Sequence, residues 1–390
     1  MREIYLDNAA ATPIDPRVQR EMMRALCVVG NPSSFNDAGR RAAAGLYRAR
    51  KTVARFLKAH DDEIVFTGSG SEANTLAVLG VVRADRSRRS EVISTPIEHR
   101  SVLEPMHVLS RDEYEVRWVS VDSKGSVHPD DIEKILNPKT ILISIMYANN
   151  EIGTIEPIRE IGKIIRAFRK ERRTIHPLFH TDACQAAGYL PMDVNQLGVD
   201  LLTMNSSKIY GPAGVGVLFV RRGVLLAPLI LGGEQERGLR AGTENLPAIL
   251  GFASAVTLIR FGEAEATAAL RDSFLRRLGR IVPEARVNGP LGQKRLANNI
   301  NVSVPGLVSE ELLIELDRYG IRAGSGSACT AHSVEPSHVL RAIGVKKPYL
   351  DGALRFSLGR KTTSNDVEYV INTLGKVIRK LRERHGTILK

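Results

Sequence analysis

The chain has 390 residues, of which 43% are hydrophobic and 25% charged, and this composition excludes a disulfide-stabilised miniprotein and a largely disordered chain. The three cysteines, Cys27, Cys184 and Cys329, lie too far apart in sequence for a paired framework, which favours a reducing compartment. The formal net charge of +12 favours contact with nucleic acid or an acidic partner, and charge by itself does not choose between them.

The N-terminal residues have no hydrophobic stretch typical of a signal peptide. The longest nearly apolar run, residues 246–259, is too short to cross a bilayer. We therefore expect a cytoplasmic protein with no membrane partner.

Short apolar, β-branched runs recur along the first two thirds of the chain. Each precedes a small or polar cluster, and helical patterns follow, which is typical of an α/β fold with a parallel sheet. Five of these runs end at a residue able to bind or react, and open α/β sheets bind ligands outside the carboxyl ends of their strands. One shared pocket is therefore expected. The predicted strands are residues 63–67, 91–95, 141–147, 178–181, 200–204 and 215–220.

The pattern becomes helical from about residue 246 to residue 280, and then mixes helices with short strands such as 299–303. This change predicts a second, smaller α+β domain that the N-terminal dozen residues complete. The expected boundaries are 14–255 for the large domain, and 1–13 together with 256–390 for the small domain.

The segment Gly-Ser-Gly-Ser-Glu at 68–72 lies between a predicted strand and a predicted helix. Backbone N–H groups and the helix dipole can hold a phosphate at such a place. Taken alone, the segment is better explained as a tight turn with a serine N-cap. It lacks the third glycine of a dinucleotide fingerprint, and the chain has no GxxxxGK[ST] motif, so nicotinamide or P-loop nucleotide binding is poorly supported.

Two charged residues follow predicted buried strands. Lysine is seldom buried, and a desolvated lysine with a lowered pKa can act as a Schiff-base amine, so Lys208 is a candidate for that role. A surface lysine is the alternative. Asp182 is the type of partner that a protonated pyridine nitrogen requires, and a helix N-cap is its alternative.

Three further residues are candidates for roles in the site. The case for a catalytic role of His99 depends on the residues around it, because a lone histidine is more often structural. Cys329 lies in a predicted exposed loop of small residues, where thiolate chemistry is available. Arg355 lies in a strand-like segment and can bind a carboxylate through two N–H groups, unless it is a surface arginine on an edge strand.

A zinc site is not expected. His176, His180 and Cys184 have the spacing of a metal-binding helix face, but Pro177 and the extended run after it argue against a helix.

Taken together, these motifs resemble the cysteine desulfurases of the NifS/IscS type, which are PLP-dependent enzymes of the class V aminotransferase family. The resemblance implies the α/β PLP-dependent transferase fold of aspartate aminotransferase (fold type I), with a large, mostly parallel seven-stranded sheet and a smaller α+β domain. The matching segments are residues 5–13, 30–34, 66–74, 98–99, 149–153, 182–185, 208–212, 232–238, 240–245, 326–330, 335–336 and 355–359.

The resemblance also implies pyridoxal 5′-phosphate as cofactor. By it, Lys208 is the Schiff-base lysine, Asp182 pairs with the pyridine nitrogen, and His99 stacks over the ring and assists proton transfer. The remaining residues divide among three groups: Gln185 and Asn150 near the ring hydroxyl; Gly70, Ser71, Ser207 and Asn205 at the phosphate, with Thr243 from the second subunit of a homodimer; and Arg355 with Asn31 at the substrate carboxylate.

The implied reaction converts L-cysteine to L-alanine. Lys208 removes the Cα proton, and the Cys329 thiolate attacks the substrate sulfur and becomes a persulfide. A sulfur-acceptor protein, either an Fe–S scaffold or a thiolation enzyme, then receives the sulfur. The alternatives are a sulfur-delivery subunit for tRNA thiolation or DNA phosphorothioation with weak free activity, a selenocysteine lyase, and an aminotransferase.

Several positions depart from the family pattern. Ser207 and Asn36 stand where the family often has histidines, and Asn205 stands where a serine is usual. A serine at 207 adds no positive charge near the phosphate. Cys184 stands where a threonine is common, and we expect a small packing residue there rather than a redox group.

Three segments of the chain are strongly basic, and we expect them to be solvated helix faces. The alternative is a docking surface for tRNA, DNA or an acidic sulfur acceptor. These segments are residues 83–89, 166–173 and 376–385.

Overall fold

The computed structural model describes residues 3–85, 90–325 and 336–386. Its helices are α1 (Pro16–Leu26), α2 (Asp37–Leu57), α3 (Gly70–Ala84), α4 (Arg100–Arg111), α5 (Pro129–Ile135), α6 (Ile158–Arg172), α7 (Val194–Leu197), α8 (Leu246–Thr257), α9 (Glu263–Ile281), α10 (Ser309–Arg318), α11 (His338–Ala342) and α12 (Ser364–His385). Its strands are β1 (Ile4–Tyr5), β2 (Ile64–Thr67), β3 (Glu91–Ser94), β4 (Glu115–Trp118), β5 (Thr140–Ser144), β6 (Leu178–Asp182), β7 (Leu201–Asn205), β8 (Gly216–Val220), β9 (Arg286–Val287), β10 (Asn299–Ser303), β11 (Ile321–Arg322), β12 (Gly324–Ser325) and β13 (Ala353–Ser357).

A seven-stranded sheet in the order β2-β8-β7-β6-β5-β3-β4 forms the centre of the molecule. Its neighbouring strands pair in parallel from β7 through to β4, and β8 is antiparallel to both of its neighbours. The predicted α/β class with a mostly parallel seven-stranded sheet is therefore confirmed.

Helices cover both faces of this sheet, which explains why its strands are continuous apolar runs. In β8, Val217 and Phe219 pack into the cluster that contains residues of α2, α6 and α8. The intervening Leu218 and Val220 pack into a second cluster with residues of α3 and α4. The period of two along the strand thus divides its side chains between two cores.

A four-stranded antiparallel sheet, β12-β13-β10-β9, and a parallel pair, β1-β11, form from the C-terminal third and the first residues of the chain. Ile4 and Leu6 pack with apolar side chains of α9, α10, α12 and the strands β10 and β13. The domain boundaries at residues 13 and 255 stay a prediction.

The largest difference from the predicted elements lies in the helical stretch 246–280, which is two helices separated at Leu258–Gly262. The run 141–147 was expected to be one strand, and β5 ends at Ser144. Ile145 and Tyr147 still donate N–H bonds to the carbonyl oxygens of His180 and Asp182, so the extended run continues as a connection toward the carboxyl edge of the sheet.

Two of the three basic segments are helical in the part of the chain that the structure describes. In α6, Arg166 and Lys170 are exposed, while Arg169 pairs with Asp200. In α12, Lys380 and Arg384 both pair with Glu315. Their use as a docking surface stays a prediction. None of the described helices has the length and apolar character that crossing a membrane requires.

Replacing Glu156 by glutamine is expected to change how stability depends on pH. Burial raises the pKa of the Glu156 carboxyl from 4.5 to about 8. Between these values the unfolded chain has released a proton that the folded chain keeps. Raising the pH through this window therefore lowers the free energy of unfolding, by at most ~1.4 kcal/mol per pH unit. Glutamine can keep the acceptor for the Val127 N–H and removes the titration.

Urea unfolding of wild type and Glu156→Gln at pH 5 and pH 7.5 measures this effect. The stability of wild type relative to the variant should fall by a few kcal/mol over that range. Glu160→Gln, at an exposed position of α6, is the control and should show no such trend. Parallel pH profiles for wild type and Glu156→Gln would contradict the assignment.

Candidate active site

A cavity of about 370 Å³ lies at the carboxyl edge of the seven-stranded sheet. Residues that follow β2, β3, β5, β6 and β7 all line it, as parallel strands with a common carboxyl edge require. The predicted site residues that the structure brings together in its lining are Gly70, Ser71, His99, Asn150, Asp182, Gln185, Asn205, Lys208 and Arg355.

Three predicted site residues among the described ones do not line this cavity. Ser207 directs its hydroxyl to Oδ1 of Asn205 (3.3 Å). Thr243 is exposed and lines a separate cavity of about 170 Å³. Asn31 is exposed, and its side-chain oxygen accepts the N–H of Ser33 (2.9 Å). Cys329 lies outside the described residues.

Lys208 reaches the cavity because β7 ends at Asn205 and the chain then makes a 3₁₀ turn over Ser206–Lys208. Its Nζ donates to the carbonyl oxygen of Ala9 (2.9 Å) and to that of Ala10. The Nε2 of Gln185 donates to the same Ala9 oxygen (3.0 Å). Two backbone carbonyls therefore hold the amine at the cavity wall, and the alternative of a freely solvated surface lysine does not hold.

Asp182 is the last residue of β6 and is almost fully buried. Its Oδ1 accepts the N–H of Cys184 (2.9 Å), and its Oδ2 accepts from the Asn74 amide (2.7 Å). Each carboxylate oxygen thus has a neutral donor within the protein. These two hydrogen bonds hold the side chain in a fixed orientation at the cavity wall.

His99 is the N-cap of α4, and its Nδ1 accepts the backbone N–H of Ser101 (3.2 Å). The Ser101 hydroxyl lies 2.7 Å from the same nitrogen. Asn74 also donates to this hydroxyl, across 2.8 Å. His99 and Asp182 are therefore joined through Asn74 and Ser101.

The glycine-rich segment forms the N-terminal turn of α3, where Ser69 accepts the N–H of Glu72 as the helix cap (3.1 Å). A Cβ at Gly70 would lie 2.9 Å from the Sγ of Cys184 and 3.2 Å from the Cβ of Asn205, so a larger residue here would require these two side chains to shift. The positive end of the helix dipole lies at the cavity. The serine cap and an anion site are thus compatible in one turn.

Cys184 packs against Gly70, as expected for a small packing residue. Burial and the neighbouring Asp182 carboxylate raise the pKa of its thiol well above the usual value. The thiol is therefore protonated and is a poor nucleophile.

Arg355 lies on β13, between β12 and β10, and is only 1% exposed. The alternative of a surface arginine on an edge strand is therefore wrong. One Nη donates to Asp7 (2.8 Å) and the other to the carbonyl oxygen of Asn150 (3.2 Å). The guanidinium has five N–H groups, and three of them, including that of the buried Nε, have no acceptor among the described residues.

Two departures from the family pattern have local explanations. Asn36 caps α2 by accepting the N–H of Gly39 (2.9 Å). Asn205 accepts from both the N–H and the hydroxyl of Ser207 (3.3 Å each). The Asn205 side chain therefore accepts the two Ser207 donors, the N–H and the hydroxyl, that could otherwise bind an anion.

Sequence reasoning missed several residues of the cavity wall. Asn74 interrupts an apolar helical run, and that interruption was the available signal. Glu151 also lines the cavity, and burial raises the pKa of its carboxyl to about 7. His338 lines the cavity too; burial lowers its pKa, and its Nε2 lies 2.9 Å from the carbonyl oxygen of Glu98. No sequence spacing indicated these last two.

Comparison with known proteins extends over nearly the whole chain. Residues 4–370 match the family model described as aminotransferase class-V. A cysteine desulfurase IscS of Dictyoglomus turgidum is 43% identical over 385 residues, which cover 98% of this chain and 96% of that protein. The solved structure of a NifS-like protein has a TM-score of 0.90 at 35% identity and covers 97% of this chain and 100% of that one. The structure of SspA in complex with cysteine has a TM-score of 0.78 at 33% identity and covers 91% of this chain and 98% of that one.

Proposed function

The chain belongs to the class-V aminotransferase family, and from this membership we propose how its cavity removes sulfur from L-cysteine. The protein is a cysteine desulfurase, because its full-length relatives carry that activity in their names. The observation that carries the proposal is the convergence of Lys208, Asp182, His99 and Arg355 on one cavity. Matches to desulfurases along the whole chain favour this activity over a selenocysteine lyase, an aminotransferase or a delivery subunit with weak activity.

Pyridoxal 5′-phosphate is the cofactor that we propose for this cavity, and the residues present fit it. The turn at Gly70 and Ser71 offers an anion site at the start of α3. Asp182 is a buried carboxylate suited to a protonated ring nitrogen, and Lys208 supplies an amine. Asn150, Gln185 and Asn205 are the remaining polar groups of the wall that we assign to the cofactor. When bound, the cofactor acts as an electron sink for the substrate Cα.

Lys208 is the group that we assign to proton transfer. Its Nζ removes the Cα proton of L-cysteine and later returns a proton, so that the carbon skeleton leaves as L-alanine. The carbonyl oxygens of Ala9 and Ala10 hold the amine in place and stabilise it when it is protonated. His99 assists at the same face of the cavity.

Arg355 is the group that we assign to the substrate carboxylate. Its guanidinium is fixed by Asp7 and by the Asn150 carbonyl, and each Nη still has a second hydrogen to donate. Because the side chain is buried, its position is set before substrate arrives. Asn31 is a second candidate for this contact.

Cys329 is the sulfur acceptor within the chain in this proposal. Its thiolate attacks the substrate sulfur, the carbon–sulfur bond breaks, and the sulfur stays on Cys329 as a persulfide. A sulfur-acceptor protein, an Fe–S scaffold or a thiolation enzyme, then takes the sulfur. This chemistry requires a free thiol, and a cytoplasmic location is therefore part of the proposal.

A homodimer is also part of the proposal, with Thr243 of one subunit completing the phosphate site of the other. Exposed apolar side chains support it. Phe35 is 95% exposed and Leu231 80% exposed, and such surfaces mark interfaces when they form patches. The others at the end of α1, in the segment after it and in the segment after β8 are Met23, Leu26, Val28, Val29, Leu225 and Ile230.

Turnover of L-cysteine by the purified protein, loaded with pyridoxal 5′-phosphate, tests the function. Alanine should form, and sulfide should appear in equal amount when a thiol reductant is present. L-alanine and L-selenocysteine as substrates, and a 2-oxo acid as amino acceptor, test the alternatives. A protein that cannot be loaded with the cofactor, or that forms no alanine from cysteine, would overturn the proposal.

Arg355→Gln is expected to raise the KM for L-cysteine about 10–100-fold while kcat changes less. A hydrogen bond to a charged group contributes about 1.5–3 kcal/mol, which sets this range. Steady-state kinetics measures both constants. Arg222→Gln, at an exposed arginine paired with Asp62, is the matched control and should leave KM unchanged.

The single substitution also leaves Asp7 without its arginine partner. The negative charge of Asp7 would then repel the substrate carboxylate. The double variant Asp7→Asn/Arg355→Gln separates the two effects, because it removes this charge as well. If KM stays raised in the double variant, the loss of the guanidinium is the cause. If KM returns to the wild-type value there, Arg355 does not bind the carboxylate.

A further inference from the structure

The hydrogen bonds around Asn74 have only one consistent direction. A carboxylate can only accept, so the Asn74 amide must direct an N–H to Asp182. The same nitrogen lies 2.8 Å from the Ser101 hydroxyl oxygen, and donates its second hydrogen there. Asn74 is 1% exposed, so water does not compete for either hydrogen.

The hydroxyl of Ser101 therefore accepts from Asn74 and has one hydrogen left to donate. Nδ1 of His99 lies 2.7 Å from this oxygen. The backbone N–H of Ser101 is a second donor to the same nitrogen, at 3.2 Å. A ring nitrogen that accepts from two donors carries no proton of its own.

We infer that Asn74 and Ser101 are positioning residues that fix the proton of neutral His99 on Nε2, through a chain of hydrogen bonds that starts at Asp182. His99 then presents an N–H to the cavity side of the site and keeps its lone pair on the side of α4. As a statement about the reaction, this rests on the proposed function. As a statement about the ring, it stands on the geometry alone.

The chain of hydrogen bonds also couples two groups that the proposed function uses separately. Removal of the Asp182 carboxylate would take away one acceptor of the Asn74 amide and so loosen its contact with the Ser101 hydroxyl. The orientation of His99 therefore depends on the Asp182 side chain through Asn74 and Ser101. A side chain with a merely structural role, such as a helix cap, would not transmit this dependence.

Nitrogen NMR of the protein without cofactor tests the inference directly. With ¹⁵N-labelled histidine, long-range proton–nitrogen correlations show which ring nitrogen carries the proton, and the spectrum of His99→Gln assigns the His99 signals. In wild type, Nδ1 should be unprotonated and Nε2 protonated. Predominant protonation at Nδ1 would overturn the inference.

Variants of both positioning residues make the test specific. Ser101→Ala and Asn74→Leu should each shift the ratio of tautomers about five-fold toward Nδ1–H, the effect of one lost hydrogen bond. Ser101→Thr keeps a hydroxyl and should restore the wild-type ratio. Ser101 is only partly buried, so its variants remain informative if Asn74→Leu does not fold.

Ser144→Ala is the matched control, because it removes a hydroxyl that contacts a different buried histidine, His180 (2.8 Å). It should move the signals of His180 and leave those of His99 unchanged. An unchanged His99 ratio in both Ser101→Ala and Asn74→Leu would overturn the assigned role.

Kinetics of the loaded enzyme separates this inference from the proposed function. We expect kcat to fall about 10-fold in Ser101→Ala, with KM little changed and with recovery in Ser101→Thr. An inactive wild type would overturn the proposed function and leave the NMR result standing. A wild-type kcat in Ser101→Ala, beside a shifted tautomer ratio, would overturn the catalytic part of the inference.

Discussion

Lys208→Ala is expected to lower the turnover of L-cysteine about 10²–10⁴-fold, the usual contribution of a positioned acid–base group. Lys208 is the only lysine among the described residues of the cavity wall, so no neighbouring amine can replace it. Alanine formation under saturating L-cysteine measures the loss. Lys163→Ala, at an exposed position of α6, is the control and should retain wild-type turnover.

The same residue can be identified without turnover. Borohydride reduction of the wild-type protein with pyridoxal 5′-phosphate should attach the cofactor irreversibly to Lys208, and peptide mass spectrometry locates it. Lys208→Arg keeps the positive charge but cannot form the covalent bond, and it should remain unlabelled. Labelling of another lysine in wild type would show that the assignment to Lys208 is wrong.

Cys329→Ser is expected to abolish the persulfide and to lower sulfur release about 10³-fold or more, since removing an enzyme nucleophile costs up to about 10⁶-fold. The cofactor spectrum should be unchanged, because none of the groups that we assign to the cofactor is altered. Mass spectrometry after reaction with L-cysteine detects the added sulfur atom on the wild-type protein.

The other two cysteines are built-in controls for this experiment. Cys27 is exposed and lies at the end of α1, away from the cavity wall. Cys184 lines the cavity, but its thiol has a raised pKa. Cys27→Ser and Cys184→Ser should each keep the persulfide on Cys329. If the Cys184→Ser variant formed no persulfide although Cys329 is intact, the nucleophile would be Cys184 at the cavity wall and not Cys329.

The sequence allowed the fold to be predicted where local pattern decides structure. Strands buried on both faces are uninterrupted apolar runs, so β2, β3, β5, β6, β7 and β8 could be located within a few residues. β4 was missed because it is an edge strand with half of its surface exposed, and its residues lack the apolar run. The break between α8 and α9 spans Leu258–Gly262, with Gly262 as the N-cap of α9, inside a sequence pattern that otherwise looks continuously helical.

The charged residues of the active site could be predicted from the sequence, but the residues that form hydrogen bonds with them could not. Lys208 and Asp182 stand at strand ends, which is a local signal. Asn74 and Ser101 act through contacts with residues distant in sequence, and no spacing encodes these. For the same reason the pairing of Arg355 with Asp7 could not be predicted, since 348 residues separate them.

The first residues of the chain contact two cationic groups of the site: Ala9 and Ala10 hold the Lys208 amine, and Asp7 holds Arg355. During synthesis Asp7 is made long before β13, and it must wait for that strand before its partner Arg355 exists. We expect the catalytic centre to form late in folding, because contacts between residues distant in sequence carry the entropic cost of closing a long loop. Turnover after refolding should then appear later than the circular dichroism of the sheet and helices, which makes activity a measure of finished assembly.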